Sequence, residues 1–440
     1  MAKLGVYALA LGVMALVASS PALAETAPAS AADTDPLKLG WMLGSPPPPE
    51  KRIQFSDGSF ITFPKNRWSF AHYQELFPTA RIARGKGPVA VLPVATRADI
   101  AQLSFTPKGE SKASNWVEAF DALYGDAIVV LHRGRIVFEK YNGVMNVDQP
   151  HIGFSLTKSF YGTLAEMMIA EGTLDERKTV AHYLPELADS GFGDATVRQV
   201  LDMTTSLDYN EDADDAAEKM RNFSLASGTY PRPIGYNGPT NTFDLLKTVK
   251  KVGPHGARFD YQSLDTEVLG FIIGRIAGKR PEKVLEERIW SQLGAENDAN
   301  IVLDEVGSSR SAGGLSATAR DFARFGEMMR RNGKFNGKQI VPAKVVAKIR
   351  AGGSKRDFAN AIWDYNTRRG WSYKSQWWHT HNADKAFMGI GMFGQAIYVD
   401  PKAEMVIVRF MSGPDGSTVG FDPITQGMFQ AMADHLSRSR

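Results

Sequence analysis

The sequence has no cysteine in 440 residues. That excludes a disulfide framework, a cysteine nucleophile and a lipid-modified cysteine, so stability must come from packing alone. Histidine is scarce too, at eight residues, mostly scattered, whereas zinc needs three or four convergent ligands. Charge of either sign is not in excess: Lys plus Arg (51) against Asp plus Glu (48) gives a net charge of +3. A nucleic-acid surface would show a strong basic excess, and no block of like charges suggests a membrane-binding or polyanion-binding face. Beyond the first two dozen residues, no apolar run approaches the roughly 20 residues of a membrane span.

What is present reads as a soluble globular chain, 43% hydrophobic and 22% charged, with enough apolar material for one large or two modest cores. Residues 1–24, "MAKLGVYALALGVMALVASSPALA", carry one charge at Lys3, an apolar run from Leu4 to Val17 and a small-residue end at Ala22-Leu23-Ala24. This is the pattern of a secretory signal peptide cut near Ala24, so a periplasmic or secreted protein is expected. No twin-arginine signal precedes the apolar run. Residues 25–50, rich in Ala, Thr and Pro and ending near "SPPPP", read as a linker, either a tether or an extended arm.

Residues 51–110 read as an N-terminal extension that packs on the core. Within it "RIQFSDGSFITF" gives a hairpin signal around Asp57-Gly58, and "NRWSFAHYQELFPTARI" reads as a short amphipathic helix stopped near Pro78. Further on, "AIVVLHRGRIVFEKYNG" has two β-branched runs separated by Arg133-Gly134, an antiparallel hairpin. The stretch "GQAIYVDPKAEMVIVRFMS" repeats that design with Asp400-Pro401 in the turn. Between them lie helical patterns such as 155–171, 282–293 and 319–332, several stopped by glycine. The expected fold is α+β: one antiparallel sheet built from both chain ends, flanked by helices, with a mainly helical subdomain inserted.

The stretch "GFSLTKSF" places Ser155 three residues before Lys158. A Ser-x-x-Lys match is weak alone, since one or two occur by chance in such a chain, and the plain alternative is a capping serine with a solvated lysine. Ser155, however, stands where helical periodicity begins, with Phe160, Leu164, Met167 and Met168 forming an apolar stripe that ends at Gly172. Residues three apart share a helix face, so the amine can reach the hydroxyl. Flanking Phe154, Phe160 and Tyr161 make a solvated face improbable. Desolvation and the positive end of the helix dipole disfavour the ammonium form, which lets Lys158 accept a serine proton. No Gly-x-Ser-x-Gly pentapeptide offers a competing nucleophile.

"SLTK", then "YQS" at Tyr261 to Ser263, then "GIGMFGQAIYVDP" from Gly389, occur in the order found in serine β-lactamase-like hydrolases. The chain resembles most closely the 6-aminohexanoate-dimer hydrolase and related carboxylesterases, which share the class C β-lactamase fold. The likeness runs from "NRWSFAHYQELFPTARI" to near the C-terminus, through "LDMTTSLDYNED", "GGLSATARDFARFG" and "SQWW". It implies a catalytic domain over residues 111–440, Ser155 as the acylated nucleophile, Lys158 as its activating partner and Tyr261 as the phenol that shuttles protons. It also implies an oxyanion hole from the backbone N–H groups of Ser155 and Met392, and no cofactor. Taken singly, Tyr261 could be a buried packing residue and "GIGMFGQ" a glycine-softened strand entry, since strand glycine often marks close backbone approach.

The chain departs from that pattern at three points. Gly389-Ile390-Gly391 replaces Lys-Thr-Gly, which removes the basic group that would hold a β-lactam carboxylate. Ala213 stands where the nylon-oligomer hydrolases have tyrosine, and Ala312 where they have asparagine. The resemblance therefore covers the ester-cleaving core more fully than the amide pocket. Expected pocket residues are Gly391, Trp378, His379, Ala213 and Ala312. The expected activity is hydrolysis of small-molecule carboxylic esters, with amides second.

Three other readings compete. "HTHNADK", with His379, His381 and Asp384, nearly matches a metallo-β-lactamase pattern, but the aspartate is one place late and lysine replaces the last histidine, so no metal site is expected. An inactive relative that binds peptidoglycan would have no reason to keep Ser155, Lys158 and Tyr261 together. A periplasmic D-Ala-D-Ala peptidase of the penicillin-binding type would normally use the basic third motif that is missing here.

Overall fold

The β-branched runs from the two chain ends meet in one sheet. A computed structural model describes residues 29–209, 211, 216–417 and 419–438; the stretch read as a signal peptide and Ala213 lie outside the described residues. Its large sheet comprises β1 (Gly125–His132), β2 (Arg135–Tyr141), β3 (Ser372–Lys374), β4 (Trp377–His379), β5 (Phe387–Gly391), β6 (Gln395–Asp400) and β7 (Met405–Met411). Their spatial order is β3-β4-β5-β6-β7-β1-β2, antiparallel throughout. The seam between the chain ends is β7 against β1, with Ile407 opposite Val130. Arg133 (φ 52°) and Gly134 (φ 75°) turn the β1–β2 hairpin, the left-handed pair that matches strand twist.

Both faces of this sheet are covered, so its strands read as nearly unbroken apolar runs rather than as alternation with polar residues. Val129, Leu131, Val406 and Val408 enter one core, shared with α1 (Leu156–Glu171), α2 (Ser263–Ala277) and α3 (Ala319–Arg330). Ile128, Val130 and Ile407 point the other way, onto Trp116, Phe120 and the C-terminal helix α4 (Asp422–Arg438). The segment between β2 and β3 carries most of the helices. Helix α1 is buried from Leu156 through Met168 and ends at Gly172, whose φ of 79° lets its N–H close on the carbonyls of Met168 and Ile169. Among the described residues, no helix is long and apolar enough to cross a membrane.

A second antiparallel sheet, of four strands, sets the entry to α1. Its order is Thr79–Ile82, Ala299–Val302, Leu315–Ala317 and His151–Ile152. It therefore ties the N-terminal region to the strand that leads into Ser155.

Two local expectations are corrected in that region. Around Asp57-Gly58 the chain does turn, with Gly58 at φ 71°, but a 3-10 turn (Ser59–Ile61) follows and no hairpin forms. The aromatic residues serve another purpose: Phe55 and Phe60 pack edge-on against Phe77. The helix expected over the next stretch is two single turns, Asn66–Ser69 and Tyr73–Leu76. Between them His72 leaves helical geometry (φ −126°, ψ 26°) and stacks on Trp68, while Phe70 turns fully inward. In the stretch read as a linker, Asp35 caps a one-turn helix (Pro36–Leu39), and Arg67 donates to Thr34.

Candidate active site

Ser155 is the N-cap residue of α1, with its side chain half-buried, and Lys158 lies one turn on with 1% of its surface exposed. The Lys158 amine donates to Ser155 Oγ at 2.8 Å, to Ser263 Oγ at 2.9 Å and to the Ala312 carbonyl at 2.8 Å. Burial lowers the lysine pKa to about 8, and Arg310 adds to the fall, while Glu211 and Glu267 oppose it. The two protonation states differ in how they fit. An ammonium supplies three donors for three acceptors, but a neutral amine has two N–H groups and one lone pair. The Ala312 carbonyl can only accept, so loss of the proton requires one of the two serine hydroxyls to donate to Nζ.

Helix α2 holds that amine from the opposite side. Ser263 opens the helix and Glu267 follows four residues later, on the same face. The Glu267 carboxylate accepts from the amides of Ser311 (3.0 Å) and Ala312 (3.1 Å), which fixes the loop whose carbonyl meets Lys158. Burial pushes Glu267 up to about 7, against the pull of Arg310, the two amides and Lys158. Glu211 accepts from the Ser263 amide at 2.5 Å and from Tyr209 at 3.1 Å.

Tyr261 sits just ahead of α2, half-buried, with its ring centroid 5.1 Å from the Lys158 amine. The ring stacks on Trp378 at 5.5 Å and meets Tyr373 edge-on at 6.1 Å. Phe259 and Tyr365 pack against Trp378 in turn. The structure thus brings the Ser155 hydroxyl and the Lys158 amine into contact and sets the Tyr261 ring beside that amine, although Lys158 and Tyr261 lie 103 positions apart in the sequence.

The end of β5 approaches this group through glycine. A Cβ on Gly391 would lie 2.5 Å from the Gly153 carbonyl oxygen, and one on Gly389 would lie 3.0 Å from Ser159 Oγ. Gly389 thus stands against α1, with Ser159 and Leu156 as its neighbours. Gly391 thus lies against Gly153, and the rings of Phe154 and Phe393 are 5.7 Å apart. Phe154 (φ 46°) and Phe393 (φ 59°) both adopt the left-handed conformation, which costs on the order of 1–3 kcal/mol at a non-glycine residue.

The remaining sequence-based candidates divide. Trp378 backs Tyr261, and Ala312 reaches Lys158 through its carbonyl. His379 is not brought to the cleft: it follows Trp378 on β4 and so points to the other face of the sheet, buried against Phe387. Burial lowers its pKa to about 3. His381 pairs with Ser372, and Asp384 with Lys402 and Gln430. Among the described residues no three His, Cys, Asp or Glu side chains converge as metal ligands would.

Sequence reasoning missed Ser263, Glu211 and Glu267 as contributors. The signal for two of them was present. "SLDTEVLGFIIGRIA" keeps polar side chains at one end of an otherwise apolar helix, directly after the tyrosine motif, and such groups need partners when buried. Glu211 carries no comparable signal, because it belongs to an acidic stretch that reads as solvated.

The fold defines a class, the β-lactamase-fold hydrolases. Residues 113–425 match the Beta-lactamase family, and the chain belongs to that family. The 6-aminohexanoate-dimer hydrolase of Paenarthrobacter ureafaciens is 34% identical over 365 residues, covering 83% of this chain and 90% of the relative. The solved structure of a Bacillus anthracis protein bearing the same hydrolase name is similar at TM-score 0.79 and 34% identity, over 86% of this chain and 96% of its own. A family VIII carboxylesterase shares the fold at TM-score 0.53 and 18% identity, over 72% of this chain and 96% of its own.

Proposed function

We propose that this protein hydrolyses carboxylic esters of small or medium acyl chain, with amides as slower substrates, through an acyl-enzyme on Ser155. Neutral Lys158 takes the Ser155 proton as Oγ attacks the ester carbonyl. The resulting oxyanion is held by the amides of Ser155 and Met392. As the tetrahedral intermediate collapses, Tyr261 gives its proton to the departing alkoxide and regains one from the Lys158 ammonium. Water then attacks the acyl-enzyme, its proton passing through the Tyr261 phenol to the neutral Lys158 amine, and the same proton is returned to Ser155 Oγ as the acid leaves. No cofactor enters these steps.

The observation that carries this reading is the contact of a desolvated lysine amine with a hydroxyl at a helix N-terminus, 2.8 Å apart. Two features favour esters. Gly389 supplies no cation for a substrate carboxylate, and an alkoxide leaves with less proton assistance than an amine. Similarity to a 6-aminohexanoate-dimer hydrolase keeps amides in the substrate class. Export to the periplasm, after cleavage near Ala24, belongs to the same reading and rests on the sequence of residues 1–24. So does the division into a linker (25–50), an N-terminal extension (51–110) and a catalytic domain (111–440).

The test is phosphonylation by a fluorophosphonate probe beside turnover of a chromogenic ester and amide panel. Wild type is expected to carry the label on Ser155 and to cleave esters fastest, and Ser155→Ala to lose both label and turnover. Labelling that persists in Ser155→Ala assigns the nucleophile elsewhere. Folded wild type that takes no label favours a binding protein.

A further inference from the structure

Both amides assigned to the oxyanion hole adjoin a strained phenylalanine. Phe154 shares a peptide plane with the Ser155 N–H, and Phe393 makes the turn that follows Met392; each has positive φ. Their rings lie 5.7 Å apart. A third ring, Phe70, closes the triangle at 5.0 Å from Phe154 and 4.8 Å from Phe393, edge-on to the first and steeply inclined to the second. Phe70 is wholly buried, and its carbonyl accepts from the Ile152 amide at 2.9 Å. Tyr73 adds an edge contact to Phe154 at 5.9 Å. Phe70 and Tyr73 precede the Beta-lactamase family match, which begins at residue 113.

We infer that Phe70, supplied by the N-terminal region outside the family domain, is a positioning residue for the oxyanion hole: it locks Phe154 and Phe393 and so aims the two amides. Strained backbone persists only where its surroundings over-determine it, and the Phe70 ring meets the rings of both strained residues, while the Phe393 amide donates to the Gly416 carbonyl at 3.2 Å. Thr157 assists on one side only, donating to the Phe154 carbonyl at 2.7 Å. The N-terminal region is thus part of the catalytic apparatus without touching the substrate. The inference rests on the acyl-enzyme reading given above.

The test compares Phe70→Leu with Phe77→Leu in the full-length protein. Phe77 belongs to the same aromatic cluster, packing on Phe55, Phe60 and Tyr73, but its ring contacts do not include Phe154 or Phe393. Both variants should lose thermal stability. Phe70→Leu should also lose about 10-fold or more in kcat, a fraction of what deletion of one oxyanion donor costs, with KM and the midpoint of the pH profile unmoved. Phe77→Leu should keep kcat within about two-fold of wild type. Phe70→Met, closer in volume, serves if the leucine variant does not fold and should fall between. Equal kcat in the Phe70 and Phe77 variants, with wild type labelled on Ser155, overturns this inference alone. Wild type that is not labelled on Ser155 overturns the functional reading and this inference with it.

Discussion

The two walls of the cleft are built by opposite means. The wall formed by α2 and residues 311–312 is polar: it offers Lys158 the Ser263 hydroxyl and the Ala312 carbonyl, and it holds that carbonyl with the Glu267 carboxylate. The wall formed by Phe70, Phe154 and Phe393 is apolar and strained, and in the proposed reaction its contribution is the direction of backbone N–H groups. In that proposed reaction the first wall manages protons and must answer to pH. The second manages shape and must not. Damage to either should slow the same reaction, but only damage to the polar wall should move its pH dependence.

The largest effect separating the walls is expected from Lys158→Met. Loss of the base should lower ester kcat/KM by about 10³-fold without loss of fold. The amine is charged most readily in the unfolded chain, since burial lowers its folded pKa from 10.5 to about 8. Its burial therefore costs stability below pH 8, and that cost fades as pH rises towards 10.5. Lys158→Met should accordingly melt no lower than wild type at pH 7. Unfolding in calorimetry, or turnover within about ten-fold of wild type, would remove Lys158 from the role given to it.

A smaller effect is expected from Gly391→Ala, which tests how closely β5 approaches the nucleophile loop. The added methyl would meet the Gly153 carbonyl oxygen at 2.5 Å, so backbone must shift. Overpacking of this kind costs about 1–3 kcal/mol, and the displaced amides should reduce kcat by about ten-fold or more with the pH midpoint fixed. An unchanged kcat in steady-state assays would mean that the approach of β5 is incidental.

Much of this arrangement was legible in the sequence because its carriers are local. Ser155 and Lys158 share a helix face by spacing alone, and the hairpins at Arg133-Gly134 and Asp400-Pro401 announce the sheet through β-branched runs and turn residues. The glycines of "GIGMFGQ" signal close backbone approach, and the structure supplies the neighbour, the Gly153 carbonyl. What was not legible depends on long-range packing. The apolar and polar pattern of residues 53–62 suits a strand equally well, and only the partners Phe77 and Tyr73 decide that Phe55 and Phe60 build a cluster. His379 was assigned to the cleft beside Trp378, yet adjacent strand residues face opposite ways, so proximity in sequence separated them in space. Glu267 lies in a helix whose period shows burial but not the loop it clamps.

The smallest effect is the most telling. Glu267→Gln removes a negative charge that raises the Lys158 pKa. It also leaves one of the Ser311 and Ala312 amides facing a side-chain donor, at a cost of about 1–3 kcal/mol. The groups around the amine are Ser155, Tyr261, Ser263, the Ala312 carbonyl, Glu211, Glu267 and Arg310, and those around Glu267 include Arg310, Tyr161 and Tyr209. The decisive measurement is the pH dependence of ester kcat/KM for wild type beside Glu267→Gln. The account predicts a wild-type rate that rises with pH through a midpoint near 8 as Lys158 loses its proton, and a lower midpoint in the variant. A wild-type profile flat through that range, or a variant whose midpoint does not move or moves upward, would contradict it.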